Sequence, residues 1–150
     1  MTIDWKTGIE ILDDDTSWRL VGASPVGRLA ISIANHPDIF PVNHVVTGDA
    51  TSGRAIVFRT AEGTKLAASV LGEAVAYEVD GWDADAGDAW SVVVKGHAAE
   101  IEHLDELMEA QDLPLFPWNA SIKPRYVRIT ADEVTGRRFH VVDGAQGFRH

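Results

Sequence analysis

The densest set of chemically useful side chains lies between residues 54 and 66, where Arg54, Arg59 and Lys65 stand close together with only Glu62 opposing them. Ile56-Val57-Phe58-Arg59 reads as a strand that delivers Arg59 to its end. Thr60 adds a hydroxyl, Gly63 allows a close backbone approach, and Thr64-Lys65 opens a helix. Cations, hydroxyls and the amides of a helix start are the donors that hold a phosphate, each charged hydrogen bond contributing roughly 1.5 to 3 kcal/mol when sheltered. The same residues suit a solvated turn with surface cations, and Glu62 in the first turn counts against an anion. Spacing alone leaves both readings open.

Other chemistry is sparse. Of the six histidines, only His97-x-x-Glu100-x-x-His103 has metal-like spacing. A change from strand to helix there points its members apart, so no metal is expected. His44 or His97 as an axial ligand would favour haem, but a lone histidine on a strand is more often a hydrogen-bonded structural group. The absence of cysteine excludes disulfides, thiol catalysis and cysteine-ligated clusters. Dinucleotide, Walker, nucleophile-elbow and zinc-helix motifs are all missing, and no catalytic residue is assigned.

The elements that must carry Arg59 follow mostly a period of two. Leu29, Ile31 and Ile33 alternate with Arg28, Ala30 and Ser32, and residues 38 to 47 continue with Pro41, which suggests an edge, bulge or bend. The polar cluster Gly48 to Gly53 leads by a hairpin into Ala55 to Thr60, with Ile56 and Phe58 on one side. Val75, Tyr77 and Val79, then Trp90 to Ala98, Tyr126 to Thr130 and Arg138 to Val142 complete seven expected strands. Short helices are expected over Asp15 to Val21, Leu66 to Leu71 and residues 102 to 111. A mainly β domain with short helices over residues 1–150, closed as a barrel or sandwich, is therefore predicted.

A formal net charge of -10 argues against nucleic acid, and residues 73 to 90 carry six acidic side chains without a Lys or Arg. No apolar run approaches a membrane span and no signal-peptide pattern opens the sequence, so a cytoplasmic protein is expected.

Four stretches in order, Gly27-Arg28-Leu29-Ala30, Phe40-Pro41-Val42-Asn43, Phe58-Arg59-Thr60-x-x-Gly63-x-Lys65-Leu66 and Trp90-Ser91-Val92-Val93-Val94-Lys95-Gly96-His97-Ala98, resemble the motifs of the pyridoxamine 5'-phosphate oxidase-like, flavin-binding split-barrel superfamily. The likeness is nearest to its actinobacterial-type members. It implies a six-stranded Greek-key split barrel, a homodimer with shared cofactor sites, and FMN or, in some relatives, a deazaflavin coenzyme; a few relatives store flavin or haem without turnover. By the same resemblance, the strand end Val57, Phe58, Arg59 and Thr60 lies along the flavin ring, Thr64 and Lys65 hold the phosphate, Arg59 serves either part, and Pro41, Val42 and Asn43 face the ring's polar edge. Trp90 and Ser91 reach the cofactor from the second subunit. The implied activity is oxidoreduction of a small organic substrate. Arg137-Arg138-Phe139-His140 and Phe148-Arg149-His150 do not reproduce the substrate-phosphate grip of true pyridoxamine phosphate oxidases, so vitamin B6 oxidation is not expected.

Overall fold

Alternation of apolar and polar residues becomes antiparallel pairing in the computed structural model, which describes residues 2–61, 73–102 and 124–140. A hairpin that the alternation did not announce, β1 (Thr2–Asp4) with β2 (Ile9–Leu12), comes first. Helix α1 (Asp14–Ala23) follows, capped by Asp13, whose carboxylate accepts the Thr16 N–H at 2.8 Å. It runs two residues beyond its expected end, and its buried Trp18 and Val21 join the core.

Strands β3 (Val26–Ile33) and β4 (His36–Thr47) meet at a two-residue turn, Ala34 and Asn35, both at positive φ. Gly27, Leu29 and Ile31 face inward, but Ile33 is 40% exposed, because the alternation runs one step past the core into the turn. After β4 come β5 (Ala55–Ala61), β6 (Ala74–Asp83), β7 (Asp88–Glu100) and β8 (Pro124–His140).

Six strands form a closed ring in the order β8-β5-β4-β3-β6-β7, with β7 pairing back onto β8; β2 and β1 extend the sheet from the far end of β8. Since β3, β4 and β5 are successive neighbours and β6 returns beside β3, the ring is a Greek-key barrel. Tyr77, Phe58, Leu29, Ile56 and Ile129 fill it without measurable exposure. Burial of each contributes roughly 1.5–3 kcal/mol.

The two short strands expected near the C-terminus are one continuous strand, β8. Its register against β7 passes from Gly96–Ala131 to Lys95–Glu133, so Asp132 is the extra residue of a bulge. Inward positions consequently switch from odd (Val127, Ile129) to even (Val134), which breaks the period-two signal in mid-strand. Val141 and Val142, the helix expected over 66–71, and that over 102–111 beyond Glu102 lie outside the described residues. Among the described residues no helix is long and apolar enough to cross a membrane.

A polar pair is sealed inside the barrel. His44 Nε2 donates to the Val21 carbonyl at the end of α1 at 2.8 Å, and the Tyr77 hydroxyl, 2.6 Å from Nδ1, donates to it. Burial holds the His44 imidazole below its ordinary pKa and pushes the Tyr77 phenol up, so both groups are neutral in the fold.

Two predictions follow from this packing. A methyl group at Gly96 would stand 1.9 Å from the Thr130 carbonyl oxygen, backbone that cannot give way. Gly96→Ala is expected to lower the unfolding free energy by at least ~2 kcal/mol, read as a fall in the urea midpoint. The unfolded chain protonates His44 near its ordinary pKa of about 6.5 and the folded chain only at lower pH. In that window the unfolded state binds more protons, so stability is complete above about pH 6.5 and is lost as pH falls below it. Urea midpoints between pH 7.5 and 5.5 should drop more steeply for the wild type than for His44→Asn.

Candidate functional site

The β4–β5 ladder runs from Thr47–Ala55 to His44–Phe58 and stops. Beyond it β4 continues on β3, from Asn43 back to His36, while β5 continues on β8, through Arg59, Thr60 and Ala61. The two strands therefore part, and the lips of the split are Pro41-Val42-Asn43 on one side and Arg59-Thr60 on the other. Pro41, which has no N–H to give, lies where β4 has a neighbour on only one flank, the place a strand tolerates proline.

Alternation decides which of these side chains a ligand can meet. Val42, Phe58 and Thr60 are buried and face inward, so contact outside the barrel is left to their backbone. Pro41, Asn43, Val57 and Arg59 face outward; Pro41 is exposed, and Asn43 and Arg59 are half-buried. Val57 is only 2% exposed, because a second apolar cluster of Val45, Ile101 and Tyr126 covers it from outside. The chain is turned over that face after β7 by a hydrogen bond from the Ile101 N–H to the Tyr126 carbonyl at 2.9 Å.

Tyr126 is a site residue that sequence reasoning missed. It stands directly opposite Arg59 in the β5–β8 ladder, and the Arg59 guanidinium carbon lies 5.9 Å from the centre of its ring. Arg59 has no carboxylate partner among the described residues; the ring quadrupole holds the cation without neutralising it. Its neighbour Arg125 is committed elsewhere, to a two-pronged bond with Glu100 at 2.7 and 2.6 Å that ties the start of β8 to the end of β7. Those bonds hold the Glu100 carboxyl below its usual range. The signal in the sequence was an aromatic in Arg125-Tyr126-Val127-Arg128, legible only once its cross-strand partner is known.

Thr64 and Lys65 lie outside the described residues. Trp90 and Ser91 are described and are not brought to the split. Ser91 pairs with Asp80 on β6, the β3–β6 register aligns Asp80 with Val26, and Val26 pairs with Asn43, so Ser91 stands three strands, roughly 15 Å, round the ring from the β4 lip of the split. The Trp90 ring also turns inward, lying against Gly81 and the end of the core, whereas Ser91 faces out. The Trp90 indole is thus partly engaged by the barrel and half-buried. His44 has both ring nitrogens engaged, which removes it as a metal ligand, and His97 is bonded through Nδ1 to Asp132 at 2.9 Å.

These features define a split β-barrel whose split is lined by outward polar groups and a guanidinium with no carboxylate partner among the described residues. Residues 13–138 match the family model described as pyridoxamine 5'-phosphate oxidase. An uncharacterised protein of Mycobacterium tuberculosis is 34% identical over 127 residues, covering 85% of this chain and 83% of its own. The solved FAD-binding protein of Mycobacterium smegmatis is 37% identical and superposes with a TM-score of 0.78 over 87% of this chain and 98% of its own. An FAD-binding protein of Mesorhizobium loti shares the fold at 23% identity, with a TM-score of 0.63. The chain belongs to the pyridoxamine 5'-phosphate oxidase family.

Tyr126 both seals Val57 and seats Arg59. Tyr126→Leu should cost about 1–3 kcal/mol in urea unfolding while leaving the circular dichroism of the barrel unchanged.

Proposed function

We propose that this chain binds a flavin at the split between β4 and β5 and uses it in oxidoreduction of a small organic substrate. The observation that carries the reading is Arg59: a half-buried cation, held over Tyr126 with no carboxylate among the described residues, beside strands whose ladder has ended. The donor set fits the group. A guanidinium suits a phosphate, the Asn43 amide can both give and accept at the pyrimidine edge of the ring, and a parted strand pair offers backbone N–H and C=O groups in one plane. The covered Val45–Val57 cluster gives the site a rigid apolar floor rather than an open pocket.

Flavin as a class is supported by the family and by the M. smegmatis relative, whose name specifies FAD. The motif resemblance favours FMN, and Thr64 and Lys65 remain the proposed phosphate ligands in either case. The flavin, when bound, supplies hydride or electron transfer, and the chain's own residues bind and orient it. Arg59 neutralises phosphate charge, Asn43 fixes the ring's polar edge, and the bulk of the barrel behind Val57 excludes water from one side.

We also propose that the site is shared in a homodimer. Ser91 and Asn43 both face outward about half-way round the six-strand ring from one another, so a second chain is the means of bringing Ser91 against the split. The apolar side chains exposed beside Ser91, Trp82 at 56% and Phe139 at 40%, suit burial there.

Absorbance near 450 nm in freshly purified protein, and fluorescence titration with FMN, FAD and riboflavin, test the flavin. Arg59→Met is expected to weaken FMN and FAD at least tenfold, and Lys65→Ala to weaken FMN far more than riboflavin. A protein that binds none of the three overturns the reading. Light scattering should give about twice the 16.3 kDa chain mass.

A further inference from the structure

A second polar constellation lies on the outer face of β3, β6 and β7, roughly 20 Å along β4 from Asn43. It surrounds a groove of about 430 Å³, a volume suited to a small molecule. The floor is made of small outward side chains, Ala30 opposite Ala76 on the neighbouring strand with Ala74 beside them. Lys95 and His97 rise along one rim, directly across from Ala76 and Ala74. Lys95 makes no ion pair among the described residues, although Glu133 stands opposite it in the β7–β8 ladder.

His97 is differently held. Asp132, the extra residue of the β8 bulge, is free of the ladder and turns its carboxylate to His97 Nδ1 at 2.9 Å. A carboxylate on Nδ1 fixes the proton there in the neutral imidazole, so Nε2 presents a lone pair. The rim therefore offers a hydrogen-bond donor with positive charge and, two residues on, an acceptor. Alternate residues on one face of a strand stand about 7 Å apart at Cα, and the long Lys95 side chain can take up the difference from the roughly 5 Å that separates two meta substituents of a benzene ring.

We infer that this groove binds a small hydroxy acid with an apolar body: its carboxylate on Lys95 Nζ, its hydroxyl donating to His97 Nε2, and its ring on the alanine floor. Asp132 acts as a positioning residue that sets the His97 tautomer. With Glu133 nearby, it also disfavours a second negative charge on the ligand. The proposal does not rest on the flavin reading, because no residue is common to the two sites.

The test is a two-dimensional NMR titration of the whole protein with 3-hydroxybenzoate. Saturable shifts are expected at Ala30, Ala74, Ala76, Lys95 and His97, with benzoate and 3-hydroxybenzyl alcohol each binding at least fivefold more weakly. Lys95→Gln should weaken 3-hydroxybenzoate at least tenfold. Imidazole ¹⁵N shifts should report the Nδ1–H tautomer of His97 in the wild type and a mixture in Asp132→Asn. Non-saturating shifts, shifts centred on Asn43 and Arg59, equal binding of the three compounds, or a wild-type His97 carrying its proton on Nε2 would each overturn it. The comparison among ligands requires no variant, so it decides even if a substitution unfolds the chain.

Discussion

Strand β8 pairs with β5 through its first half, with β7 along nearly all its length, and with β2 near its end. Among the described residues no other strand has three partners, and without it the ring becomes an open sheet with an edge on either side. The demand that one strand serve neighbours of different direction is met at Asp132, where an unpaired residue bends β8 and changes its phase. Gly96 on β7 is the complement of that bend, for the Thr130 backbone comes too close there for any side chain. The position of every outward group on β7 and β8, Ser91, His97 and Tyr126 among them, depends on where this phase change falls.

Within the ring, polarity is confined to one satisfied node. His44 links the last turn of α1 to β4, and Tyr77 links β4 to β6, so a helix and two strands are pinned by two hydrogen bonds that water does not reach. The Tyr77 ring lies so near Gly27 that a methyl there would fall 2.5 Å from it. A histidine used in this way is unavailable as base or ligand. Chemistry is consequently displaced to the outer face, where the parting of β4 from β5 leaves backbone groups and Arg59 accessible.

Arg59 shows how the outer face retains a charge for use. Nearby cations are answered within the fold: Arg125 by Glu100, Arg54 by Asp15, Arg28 by Glu78 and Asp80. Arg59 instead rests on an aromatic face, which orders it at little cost to its ability to meet an anion.

Much of this was legible in residues alone. Inward positions on β3, β5, β6 and β7 follow from alternation, the hairpin before β5 from its polar Gly-bounded cluster, and the edge character of β4 from Pro41. The single strand β8 was not legible, because a bulge shifts the period and one strand then reads as two. The inward turn of Trp90 escaped too, since a tryptophan near a strand end reads equally well on either face. The aromatic at Tyr126 could not be read for what it does, because its importance lies in standing across from Arg59, a relation between residues far apart in the chain. The sequence by itself determined which side chains alternate and where charge collects, since those depend on neighbours within a few residues. Only the tertiary structure decided that β4 and β5 part at Asn43 and Arg59 and that Ser91 lies three strands round the ring from Asn43, since strand register is set by closure of the whole ring.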